Sequence, residues 1–150
     1  MSLPDGKDPR LTLVQPTTEE IQEQQIKNSP EWKGALSREA YLRREDFLVN
    51  QSLTRNGGLT SWALVHEGSS GRTVLSSCET IRKKALLARD GHVEDIITHG
   101  VGSVFCPPEY RGKGYAGRMM KELGERLRTW QADEHKCLFS VLYSDIGKVS

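Results

Sequence analysis

The stretch PPEYRGKGYAGRMM, residues 107–120, decides how the rest of the chain is read. Two prolines close whatever precedes it; three glycines and two basic residues then crowd into positions 110–117, and a helical pattern begins. A helix start leaves several backbone N–H groups without partners. The aligned peptide dipoles add about half a positive charge there. Together they make an anion site wherever the backbone can be approached closely. Gly112, Gly114 and Gly117 give that access because no Cβ stands in the way. Arg111 and Lys113 add charge that would screen a diphosphate. The pattern predicts a phosphate-bearing ligand held at residues 112–117.

Two familiar phosphate loops do not fit. A Walker loop needs Ser or Thr after its GK pair, and Lys113 is followed by Gly114. GKGYAG does satisfy a GxGxxG frame, but a dinucleotide fold needs that frame near its first strand, with an acidic residue about 20 positions on. Here it comes two-thirds along the chain, and Glu134 falls in a loop.

The 150 residues suit one compact domain. With 21 basic and 20 acidic side chains, no global field argues for nucleic acid. The run Arg82-Lys83-Lys84 reads as a solvated strand end. Cys78, Cys106 and Cys137 have wide spacings without a CxxC pair, as in reduced thiols. No apolar secretory core or membrane-length segment is visible, so a cytoplasmic protein with no membrane partner is expected. His92, His99, His135 and the cysteines lack metal-ligand spacing, and no metal is expected.

Residues 1–9 read as a flexible lead-in to a domain over 10–150. RLTLVQP (10–16) reads as a strand stopped by Pro16. Thr17 and Glu20 have capping-box spacing for a helix that Pro30 should end. Ser37 is the expected N-cap of a helix over 38–49, with Tyr41, Leu42, Leu48 and Val49 on one face. LTSWALVHE and RTVLSSCETI, joined by GSSG (68–71), read as a β-hairpin. After the break ARDGH (88–92), residues 93–106 form a long strand, in which Gly100 and Gly102 suggest a bulge or a close ligand approach. Ala116, Met119, Met120, Leu123, Leu127 and Trp130 make one helical stripe. CLFSVLYS (137–144) is the last strand. The order β-α-α-β-β-β-α-β gives an α/β domain with a mixed sheet and flanking helices, whose closing strand–helix–strand crossover makes its two strands parallel.

Arg111-Gly112-Lys113-Gly114-Tyr115-Ala116 matches the R/Q-x-x-G-x-G/A signature of the GCN5-related N-acetyltransferases. VGSVFCPPEY resembles that family's fourth strand, and the element order is similar to its fold over roughly residues 10–145. SSCET and LYSDIGK further resemble fungal lysine N6-acetyltransferases. The resemblance implies that acetyl-CoA is the cosubstrate. The amides of Gly112, Lys113, Gly114, Tyr115, Ala116 and Gly117 would then hold its diphosphate. Main-chain groups of Val104, Phe105 and Cys106 would pair with the pantetheine arm, and one of their N–H groups would polarise the thioester carbonyl. The fourth and fifth strands would splay apart at about 104–106 and 138–142. Cys106 itself reads as packed rather than nucleophilic. A small-molecule amine, such as lysine, would attack directly.

That attack needs a neutral amine. With a pKa near 10.4, only about one lysine ammonium in 2,500 is neutral at pH 7, a deficit of roughly 4.6 kcal/mol. A general base, acting through water, would help. Glu94, Asp95 and His99, on or before the fourth strand, are candidates, and Asp95 and His99 share a face if the strand is regular. Glu79 in CET is a further candidate for the amine-binding wall. In the family a helix and two strands follow the fifth strand; here SDIGK leads to Val149-Ser150, the last residues of the sequence. The expectation is a C-terminally truncated domain with an uncovered sheet edge open to self-association. The second reading it allows is an inactive acyl-CoA-binding or interaction module.

Overall fold

The structure, a computed structural model, describes residues 3–133 and 135–143. Glu134 and the SDIGK segment lie outside the described residues. The elements run β1 (Leu11–Val14), α1 (Thr18–Trp32), α2 (Arg38–Val49), β2 (Leu59–Gly68), β3 (Gly71–Arg89), β4 (His92–Phe105), α3 (Tyr115–Leu127) and β5 (Cys137–Leu142). They form one five-stranded sheet in chain order, antiparallel except for the parallel β4–β5 pair.

Thr17 and Glu20 close the expected capping box: the Glu20 amide donates to Thr17 Oγ1 at 3.1 Å, and the Thr17 amide to Glu20 Oε1 at 2.9 Å. Such a cap is worth about 1 kcal/mol. Pro30 does not end α1 but lies inside its last turn. Proline cannot donate to the carbonyl four residues back; here Ser29 Oγ donates to Ile26 O at 2.8 Å, satisfying that group. Ser37 caps α2 as expected. The apolar face expected on α2 is not packed as a unit: Tyr41 is buried, whereas Leu48 and Val49 are exposed.

β3 continues well past Ile81, so Arg82-Lys83-Lys84 sits mid-strand rather than at a strand end. The ARDGH break is the tip of the β3–β4 hairpin. Asp90 and Gly91 take φ of 49° and 76° there, the Asp-Gly pairing a tight hairpin turn favours. Alternation across β2 separates the two faces of the sheet. Trp62 and Leu64 are buried with Leu75, Met119, Leu123 and Leu127 under α3. Ser61 and Ala63 face a cavity beneath α1 and α2. Trp62 Nε1 donates to Thr80 Oγ1 at 3.0 Å, so the buried indole leaves no orphan donor.

Candidate active site

The geometry of the site starts from an irregularity in β4. Glu79 opposes Gly102 and Ser77 opposes Phe105, so Ser103 and Val104 face Cys78 alone. Ser103 takes the left-handed φ of 53°, and its hydroxyl donates to Glu79 Oε1 at 2.6 Å. The bulge expected at Gly100–Gly102 therefore falls just beyond them, since both glycines stay in register with β3. At Gly100 the close approach comes from Lys83, whose Cε would lie 3.1 Å from an added Cβ.

Among the described residues, the β4–β5 pairing runs to Val101 opposite Leu142. Residues 140–142 of β5, where a parting was expected, are thus paired with 99–101. Beside the end of β4 lies a cleft of about 760 Å³ lined by Val101, Gly102, Val104, Phe105, Cys106 and Ala116, among others. Main-chain groups of Val104, Phe105 and Cys106 border it, where an extended ligand could pair with them. Burial pushes the Cys106 thiol up, and the Cys78 thiol up to about 12. Both thiols are thus held toward the neutral form.

At the α3 end of the cleft, Gly112 and Gly114 take φ of 89° and 81°, and a Cβ on Gly112, Gly114 or Gly117 would meet nothing within 4 Å. Among the described residues, no partner occupies the amides of 112–117. A row of unpartnered donors at a helix start suits an anion. The basic side chains are placed differently from the expectation. Arg111 donates to Cys106 O at 2.8 Å and to Glu31 Oε1 at 2.7 Å, which turns it toward the cleft. Lys113 Nζ reaches Leu3 O at 3.3 Å. An anion placed here would thus meet main-chain amides more than free cations.

Residues 3–9 are not a loose lead-in, because they are fastened along this loop. The Gly6 amide donates to Lys113 O at 2.7 Å, the Tyr115 hydroxyl to Pro4 O, and Arg118 to the carbonyls of Gly6 and Asp8, each at 2.9 Å.

On the α1–α2 side of the sheet lies a smaller cavity of about 210 Å³, lined by Gln24, Tyr41, Glu45, Ser61 and Glu79, among others. Trp32 and Ser103 border both this cavity and the cleft. Tyr41 donates to Asn28 Oδ1 at 2.6 Å, which fixes one wall. Burial raises the pKa of Glu79; the Ser103 hydroxyl opposes that shift, and nearby Glu45 adds to it. A half-buried carboxylate with a raised pKa in the wall of the smaller cavity, hydrogen-bonded to the Ser103 that borders both, can accept a proton.

Of the four candidate bases, Glu79 alone lines this smaller cavity. Glu94 and Asp95 pair with Leu87 and Leu86 near the hairpin tip. At about 3.3 Å per residue, Asp95 lies roughly 23 Å along β4 from Gly102. Glu94 instead pairs with Lys136 at 3.5 Å. His99 is fully buried with its Nδ1 3.4 Å from Cys137 Sγ, and lines neither cavity. Residues 96–99 are all buried, so strand parity does not bring His99 to either cavity. Sequence reasoning missed Ser103, Trp32 and Glu45; a polar residue just after two strand glycines was the available signal for the first, and nothing local marked the other two. Among the described residues, no three His, Cys, Asp or Glu side chains converge to hold a metal.

Burial lowers the pKa of His99 below 6.5. The unfolded chain then binds the proton more tightly, so stability is full above about pH 6.5 and is lost as pH falls toward the folded value. Urea unfolding at pH 7.5 and 5.5 should show this loss, and His99→Gln should flatten it.

No family model matches the chain. It is 35% identical over 110 residues to a lysine acetyltransferase of Yarrowia lipolytica, an alignment covering 73% of this chain and 27% of that protein. The chain thus spans about a quarter of that relative's length. A putative acetyltransferase from Pyrococcus furiosus superposes with a TM-score of 0.62 at 18% identity, covering 92% of this chain and 85% of that one. AAC(6')-Iy, solved with the bisubstrate analogue CoA-S-monomethyl-acetylneamine, superposes with a TM-score of 0.58 at 12% identity, covering 90% and 80%. A GNAT family acetyltransferase of Staphylococcus aureus superposes with a TM-score of 0.56 at 12% identity, covering 94% and 93%; the expected fold, that of the GCN5-related N-acetyltransferases, is the one observed.

Proposed function

We propose that this chain, with the fold of the GCN5-related N-acetyltransferases and a lysine acetyltransferase as sequence relative, transfers an acetyl group from acetyl-CoA to a primary amine. The observation that carries the reading is the meeting of two cavities at Ser103 and Trp32. The cleft suits a pantetheine arm lying beside Val104, Phe105 and Cys106, with the diphosphate on the amides of 112–117. The smaller cavity suits the acceptor. Its Glu45 and Glu79 carboxylates, set against Arg44, favour a cationic amine, and lysine or a similar metabolite is the acceptor we favour.

In this reading, Glu79 takes a proton from the ammonium, directly or through one water. The freed amine nitrogen attacks the thioester carbonyl carbon. A main-chain N–H among 104–106 stabilises the oxyanion. The C–S bond then breaks, the nitrogen keeps the acetyl group and gives up its second proton, directly or through water, to the departing sulfur, and coenzyme A leaves as the free thiol.

The test follows free thiol. The chain is incubated with acetyl-CoA alone, then with lysine, and then with lysine already acetylated on its side-chain nitrogen. Thiol release that requires a free side-chain amine is the expected result. Coenzyme binding without amine-dependent release would overturn the transferase reading and leave an acyl-CoA-binding module.

A further inference from the structure

We infer that Gly6 is a positioning residue for the coenzyme diphosphate, acting through the Lys113–Gly114 peptide; this rests on the proposed coenzyme site. Residues 3–9 precede β1 and have no motif of their own. Even so, they form one wall of a groove whose other wall is the helix start: Asp5, Gly6 and Lys7 face Gly112, Gly114 and Gly117.

The contact at its centre is specific. The Gly6 amide donates to Lys113 O at 2.7 Å. The Lys113 carbonyl and the Gly114 N–H belong to the same planar trans peptide, so they point in opposite directions. Holding the carbonyl toward Gly6 therefore holds the Gly114 N–H pointing away from Gly6, where no protein group among the described residues accepts from it. Gly114 sits at φ 81°, and glycine explores that region with little resistance. Without an external hold this peptide plane could turn and present its carbonyl oxygen to the phosphate. Gly6 supplies the hold.

Glycine is required at position 6 by space rather than by its own dihedral. A Cβ there would lie 2.5 Å from Gly114 O, 2.7 Å from Gly114 C and 2.9 Å from Lys113 O, all main-chain atoms that cannot swing aside. The flanking bonds fix the approach. Tyr115 donates its hydroxyl to Pro4 O, and Arg118 gathers the carbonyls of Gly6, Asp8 and Leu11. The guanidinium of Arg118 is thereby spent on the segment instead of on the ligand.

Gly6→Ala tests this, with two ligands compared by calorimetry: coenzyme A, and pantetheine, which lacks the diphosphate. The expected result is a loss of coenzyme A affinity of about tenfold to a hundredfold, the worth of a hydrogen bond to a charged group, with pantetheine binding unchanged. Equal losses for both ligands, or no loss for coenzyme A, would overturn the inference. If Gly6→Ala fails to fold, Tyr115→Phe loosens the segment without adding bulk, and the same comparison is read: a loss confined to coenzyme A supports the inference and an equal or absent loss overturns it. Gly114→Asp in parallel separates the two ideas. If it too leaves coenzyme A affinity intact, the coenzyme site itself is misplaced; if only the Gly6 variants do, the site stands and the positioning role falls.

Discussion

Glu79→Gln should lower kcat by about 10²- to 10⁴-fold, the usual range for removing a general base. Glutamine keeps the volume and can still accept from the Ser103 hydroxyl, which lies 2.6 Å from Glu79 Oε1. The ability to take a proton is lost, together with the negative charge that favours the cationic amine, so kcat is read at saturating acceptor. Because burial raises the pKa of Glu79, wild-type activity should climb with pH as this carboxyl ionises, and that acid limb should vanish in the variant. Stability should move the other way. A carboxyl whose folded pKa is raised disfavours folding once pH passes its unfolded value, so the neutral glutamine should be at least as stable at pH 7. A loss below tenfold with the acid limb in place would assign proton removal to another group.

Gly114→Asp should remove measurable coenzyme A binding. An ordinary residue in the left-handed region costs about 1–2 kcal/mol, and aspartate tolerates it better than most. Since an added Cβ meets nothing within 4 Å, the protein can hold the new side chain. The loss then comes from the ligand side, where a carboxylate stands beside the diphosphate. Gly114→Ala, with strain but no charge, should lose less. Raising salt should recover part of the aspartate loss, because exposed charges are screened within about 10 Å at 0.1 M. Calorimetric titration at two salt concentrations measures both, and wild-type affinity in the aspartate variant would remove the diphosphate from this loop.

Much of this architecture was legible in local sequence. The capping box at Thr17–Glu20, the stripe from Met119 to Leu127 and the glycine loop each carry their own stereochemistry. Features set by lateral pairing were not. Charged residues at 82–84 looked like a strand end, yet a strand protruding as half of a long hairpin can be solvated on both faces. Periodicity placed His99 on a face but could not say that Cys137 covers it. Nor could spacing rank Glu79 over Asp95, because the choice depends on which residue opposes Gly102 across the sheet. The proposed acceptor cavity joins α1, α2 and three strands, residues too scattered to leave a motif. The segment at 3–9 was read by its composition, whereas its order comes from contacts with residues more than a hundred positions away.

The wall shared at Trp32 and Ser103 also bears on kinetic order. On the proposed reading the donor and acceptor chambers touch there, and burial holds the nearby thiols of Cys78 and Cys106 toward the neutral form, unsuited to carrying an acetyl group between visits. Both substrates would then be seated together, and a sequential ternary-complex pattern is expected in place of a ping-pong one.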